Sequence, residues 1–176
     1  AVLCTTNSRR NVKNMKNIIL TGMPGAGKST IGVVLAKSIG YKFIDSDLVI
    51  QEREGKLLYE IIAEAGDEGF REIENNVNAS IDADKAVIAT GGSAVYGKEA
   101  MEHFKETGKV VYLKHCCKEI KKRLGNLNKR GVTIKEGQTL EDLYNERTPL
   151  YEKYADIVID CTGKQIREIV NEIKIR

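Results

Sequence analysis

The segment Gly22-Met23-Pro24-Gly25-Ala26-Gly27-Lys28-Ser29 constrains this chain more than any other. It fits the pattern G-x-x-x-x-G-K-[ST], and its flanks have the character that pattern requires. Before it, Asn17-Ile18-Ile19-Leu20-Thr21 reads as a buried strand that ends in glycine. After it, Ser29 to Ile39 reads as a helix with Ile31, Val34, Leu35 and Ile39 on one face and Gly40 as its stop. A phosphate chain needs many donors at close range. Glycines let backbone N–H groups turn inward toward the anion, and the helix start adds the positive end of its dipole. An ordinary strand-turn-helix corner has no need of this spacing. The expected nucleotide contacts are Gly25, Ala26, Gly27, Lys28, Ser29 and Thr30, with ATP as the phosphate donor. Lys28 is expected to reach the β- and γ-phosphates, and Ser29 to ligate Mg²⁺.

Strand and helix patterns alternate along the rest of the chain. Lys42 to Ile44, Ala86 to Ala89, Lys109 to Leu113 and Ile157 to Ile159 read as further strands. Helical patterns cover Leu48 to Arg53, Leu57 to Ala65, Glu68 to about Ile81, Lys98 to Lys105, Cys117 to Leu124 and Lys164 to Ile173. Leu140 to Tyr151 is also helical, with Pro149 expected to break it. The alternation argues an α/β domain with a parallel sheet, whose strand ends place a ligand site along one edge. A chain of 176 residues with 41% hydrophobic content suits one such domain.

Charge and composition exclude several partners. The net charge of +3 is too mild to argue for nucleic acid, and 6% aromatic content without Trp gives no stacking platform. No apolar run approaches the roughly 18 residues of a membrane span, so a soluble, cytoplasmic protein is expected, read as a monomer. The four cysteines, Cys4, Cys116, Cys117 and Cys161, form no C-x-x-C pair and suit a reducing compartment. His103 and His115 lie far apart and read as structural or surface residues. Residues 1–14 carry Arg9, Arg10 and Lys13, no acid and no periodicity. They read as a disordered upstream or cloning-derived extension, or the stub of a transit peptide, set apart from a domain over 15–176.

The acceptor side begins after the second strand, where Asp45 and Asp47 sit two residues apart. On its own such a pair is read equally well as a helix cap. Further motifs follow in order: the Glu52-to-Gly55 helix end, GFREIE at 69–74, ATGGS at 89–93 and ERTPLY at 146–151. With GMPGAGKST and FIDSD they make the chain, from about Lys16 to its C-terminus, resemble the shikimate kinase family.

That resemblance implies a three-layer sandwich with a five-stranded parallel sheet, of the P-loop NTP hydrolase and nucleoside monophosphate kinase-like type, with a mobile lid over about 125–138. It implies ATP-dependent phosphorylation of the 3-hydroxyl of shikimate, a step of chorismate and aromatic amino acid biosynthesis. By the same resemblance Asp45 helps hold Mg²⁺, while Asp47 grips the acceptor hydroxyls and serves as base. Arg71 and Arg147 bind the acceptor carboxylate, and Glu74 orients Arg71. Gly91 and Gly92 form the turn under the acceptor ring, Arg130 closes on the phosphates, and Arg123 lies against the adenine. The residue types agree with these roles: a carboxylate suits planar, bidentate guanidinium groups. Taken singly, Arg71 reads as a surface helix charge, and Arg147 as a partner of Glu146 or Glu152. The basic cluster between Lys118 and Lys135 fits a lid region that excludes water.

The chain departs from the family pattern twice. Ser93 stands where a third glycine is usual, so its side chain either intrudes on the acceptor or bonds to it. Arg130 is followed by Gly131-Val132 rather than proline and leucines. Two alternatives remain at this level: a related kinase of quinate or gluconate, or an idle nucleotide-binding module. Joint presence of Lys28, Ser29, Asp45, Asp47, Arg71 and Arg147 argues against the idle module.

Overall fold

The computed structural model describes residues 17–125 and 137–176. The 1–14 extension, Arg130 and nearly all of the expected lid lie outside the described residues.

Strands β1 (Asn17–Thr21), β2 (Lys42–Asp45), β3 (Ala86–Ala89), β4 (Gly108–Lys114) and β5 (Ile157–Asp160) form one sheet in the order β2-β3-β1-β4-β5. Every neighbouring pair is parallel. The central strands are apolar without alternation because helices cover both faces: β1 and β3 are buried throughout. Asn17 ties their starting ends together. Its Nδ2 donates to the Ala83 and Thr107 carbonyls at 2.8 and 3.1 Å, and its Oδ1 accepts from the Ala86 amide at 3.1 Å.

The connections are α1 (Lys28–Ile39), α2 (Ser46–Glu54), α3 (Leu58–Ala79), α4 (Lys98–Thr107), α5 (Cys117–Leu124), α6 (Leu140–Tyr154) and α7 (Ile166–Ile175). Helix α3 covers two expected helices, which meet at a kink at Gly66 (φ 69°, ψ 179°). A short 3₁₀ turn, Ala94–Tyr96, follows the glycines after β3. Helix α6 corrects the expected break at Pro149, because it runs on to Tyr154. A proline removes one intrahelical hydrogen bond there. The helix continues because Leu140, Leu143, Arg147 and Tyr151 bury a stripe on both sides of the proline, and Thr139 and Asp142 form a capping box at its start.

The main core lies on both faces of the sheet, with Leu20, Val87, Val111, Phe104 and Tyr151 among its fully covered side chains. A smaller cluster of Ile50, Ile61, Phe70 and Val77 joins α2 to α3. Among the described residues no helix is long and apolar enough to cross a membrane. The topology brings the carboxyl ends of β1, β2 and β3 side by side; the P-loop, the Asp45–Asp47 segment and the Gly91–Gly92 turn leave those ends, while 69–74 lies within α3 and 146–151 within α6.

Candidate active site

Strand β1 ends in a turn that needs glycine. Gly22 has φ 144°, and a Cβ on it would lie 2.8 Å from the Leu113 carbonyl oxygen. The Ala26 amide donates to the Met23 carbonyl at 3.0 Å, which curls the loop before α1 starts at Lys28. Lys28 folds back over the loop, its Nζ donating to the Gly22 and Met23 carbonyls at 2.8 and 3.0 Å. Burial lowers its pKa to about 8, against the pull of Asp47 and with a further push from Arg147. A buried cation held only by neutral carbonyls is primed for an anion.

Asp45 does two things at once. Its Oδ1 caps α2 by accepting from the Asp47 amide at 3.1 Å, and its Oδ2 accepts from the Ser29 hydroxyl at 2.8 Å. The cap and the functional reading are therefore compatible. A hydroxyl and a carboxylate oxygen this close, both partly open to solvent, are hard donors that suit Mg²⁺ with water and phosphate completing its shell.

Asp47 turns the other way, toward the glycine turn after β3. Burial and the nearby Asp45 raise its pKa, and Lys28 opposes them. A Cβ on Gly91 would lie 3.0 Å from Asp47 Oδ1 and would overlap Glu74 Oε1, so glycine alone fits between the two carboxyls. Glu74 is 1% exposed, and burial raises its pKa to about 7. Its Oε2 accepts from the Ser93 hydroxyl at 2.6 Å, not from Arg71, which was expected to be its partner. Its Oε1 has no hydrogen-bond partner among the described residues. The Ser93 side chain thus turns onto a protein carboxyl.

Arg71 lies over Tyr96 instead, with Cζ 3.9 Å from the ring centroid. Arg147, 3% exposed, lies 5.4 Å from the same centroid, and its Nε donates to the Tyr96 hydroxyl at 3.4 Å. Tyr96 Oη donates to Glu146, and Glu152 pairs with Lys114. Gly92 carries Tyr151 from below, whose buried hydroxyl donates to its carbonyl at 2.6 Å.

These groups surround one cleft of about 330 Å³. Gly25, Gly27, Lys28, Ser29 and Thr30 line it together with Asp47, Glu74, Gly91, Gly92, Ser93 and Arg147. Ala26 is buried behind the loop, and Arg71 opens on an adjoining recess shared with Ser93 and Arg147. Arg123 stands outside the loop, bonded through Nε and Nη2 to Glu119 Oε1 at 3.1 and 2.7 Å. Sequence reasoning missed Tyr96, Tyr151, His115 and Glu119. For Tyr96 the available signal was its position directly after the glycine turn. For His115 it was a place at the carboxyl end of β4.

The sequence profile described as "SKI: Shikimate kinase" matches residues 24–176. A shikimate kinase of Francisella tularensis subsp. novicida (strain U112) is 42% identical over 162 residues, covering 90% of this chain and 92% of its own. The structure of a shikimate kinase from Acinetobacter baumannii in complex with shikimate superposes with a TM-score of 0.82 at 31% identity, covering 94% of both chains. A shikimate kinase from Bacteroides thetaiotaomicron gives a TM-score of 0.73 at 32% identity over 91% of this chain and 97% of that one. The chain belongs to the shikimate kinase family.

Proposed function

We propose that this protein is a shikimate kinase, transferring the terminal phosphoryl group of ATP to the 3-hydroxyl of shikimate to give 3-phosphoshikimate and ADP. The observation that carries this reading is Arg147. It is a guanidinium 3% exposed that lines the same cleft as the P-loop, close to the Gly92 turn, with its Nε bonded to the Tyr96 hydroxyl. Among the carboxyls Glu74 reaches it through charge alone, and a buried cation without a bonded counter-charge is costly. A small acceptor carboxylate supplies that charge, and Arg71 stands beside the same recess to share it.

Position does most of the work in phosphoryl transfer. Lys28 neutralises charge on the transferring group. Asp47 aligns the acceptor hydroxyl. As that oxygen bonds to the γ-phosphorus and the bond to the ADP oxygen breaks, Asp47 takes the hydroxyl proton. Its raised pKa suits it to hold that proton. Ser29 and Asp45 would hold Mg²⁺, which when bound supplies further neutralisation of the phosphates. Arg130 is proposed to close over the phosphates and Arg123 to face the adenine. A reducing cytoplasm suits the free thiols of Cys116, Cys117 and Cys161.

Phosphorus NMR of the products tests the reading. ATP and shikimate should yield a phosphate monoester in equal amount to ADP. Release of inorganic phosphate alone would show that water, not shikimate, is the acceptor.

A further inference from the structure

His115 is a buried ionisable side chain that the chemistry above does not use. It follows β4 directly and is 2% exposed. Its backbone carbonyl accepts from the Tyr144 hydroxyl of α6 at 2.8 Å, which anchors it between β4 and α6. Its ring Nε2 lies 3.1 Å from the carbonyl oxygen of Ala26, inside the P-loop. Its Nδ1 lies 3.3 Å from Glu119 Oε2 on α5. The Ala26 carbonyl only accepts, so the contact with it is made by a proton on Nε2.

The line does not end at Glu119. The other oxygen of that carboxylate holds Arg123 through two bonds. Arg123 Nη1 in turn lies 3.9 Å from where a Cβ on Gly27 would stand, so it returns to the same loop. Burial pushes the Glu119 carboxyl up, yet the interactions with His115 and Arg123 leave it below its ordinary value. Ala26, His115, Glu119 and Arg123 therefore make a brace behind the phosphate cradle, in which His115 Nδ1 and Glu119 Oε2 meet as a close contact rather than a hydrogen bond.

The brace has a consequence for the loop's donors. A trans peptide is planar, with its C=O and N–H pointing opposite ways. Turning the Ala26 carbonyl out toward His115 turns the Gly27 N–H in toward the cleft. Without that acceptor contact the buried carbonyl is unsatisfied, and the peptide is free to rotate its N–H away from the phosphates.

We propose that His115, held by Glu119, is a positioning residue for nucleotide binding: it fixes the Ala26–Gly27 peptide for the phosphate chain and couples that peptide to Arg123. The proposal rests on ATP as the donor. A buried histidine with a purely structural role would affect stability, or both ligands alike. A brace on the cradle affects the nucleotide alone.

Calorimetric titration of ADP and, separately, of shikimate into the full chain tests this. His115→Leu should weaken ADP binding about tenfold, the cost of one hydrogen bond to a charged group, and leave shikimate binding within twofold of wild type. His115→Gln, whose amide can donate to the Ala26 carbonyl, should recover part of the loss. Unchanged ADP affinity in a folded His115→Leu variant, or equal weakening of both ligands, would overturn the proposal. If His115→Leu does not fold, Glu119→Gln decides: it should weaken ADP selectively, and wild-type ADP affinity in that variant rejects the brace. Absence of ADP binding by the wild-type chain would instead sink the kinase reading itself.

Discussion

The Ser93 hydroxyl donates to Glu74 Oε2 at 2.6 Å, so the residue that follows Gly91 and Gly92 is spent on a buried carboxyl. Ser93→Ala removes the donor that lowers the pKa of Glu74 and leaves burial unopposed by it. The variant should lose about 1–3 kcal/mol of stability at pH 8, where Glu74 is ionised, and less at pH 5, where it holds a proton. Urea unfolding at the two pH values measures the difference.

Glu74 itself makes stability depend on pH. Its folded pKa, about 7, lies above the ordinary 4.5. Between those values the folded state binds the extra proton, so this group's contribution falls as pH rises through them and the cost is complete above about 7. Glu74→Gln should remove that slope and raise stability at pH 8 by up to about 3 kcal/mol. Matching unfolding curves for wild type and variant at pH 5 and pH 8 would contradict this.

Lys28 has the opposite slope. Its folded value of about 8 lies below the ordinary 10.5, so its cost is complete below about 8 and fades as pH rises toward 10.5. Lys28→Met should cut turnover by about 10²-fold or more, because a charge on the transferring group is lost. The same variant should melt a few degrees higher than wild type at pH 7 in the absence of ligand. Near-normal turnover would overturn the role of Lys28 in the cradle.

Tyr96 holds two like charges near each other. Its ring faces the Arg71 guanidinium, and its hydroxyl accepts from Arg147. Tyr96→Leu removes both contacts and should raise the shikimate KM roughly tenfold, with the ATP KM nearly unchanged. Tyr96→Phe keeps the ring and should show a smaller rise. Arg147→Ala should raise the shikimate KM further still. Equal effects on both substrates would place these residues outside the acceptor site.

Local patterns account for what could be read in advance. Strands β1 and β3 and helix α5 end where their sequence patterns end, because a glycine follows each within two residues. The P-loop was legible because phosphate binding needs backbone geometry that only a particular glycine spacing permits. Helix α6 was misjudged at Pro149, since a buried stripe of distant contacts outweighs one missing hydrogen bond. The partners of Glu74 and Arg147 were illegible for the same reason. Ser93 and Tyr96 reach them only after β3 and the 3₁₀ turn have been placed beside α3 and α6. His115 looked like any lone histidine until the sheet order put the end of β4 behind the P-loop.

The acceptor is the central claim, and competition among hydroxy acids tests it most directly. Steady-state ADP release should be measured with ATP and, in turn, shikimate, quinate and gluconate. The account predicts shikimate-dependent release with a kcat/KM at least about 10²-fold above either rival, as expected where buried charged groups must be matched. Robust turnover of quinate or gluconate with no shikimate-dependent ADP release would contradict it.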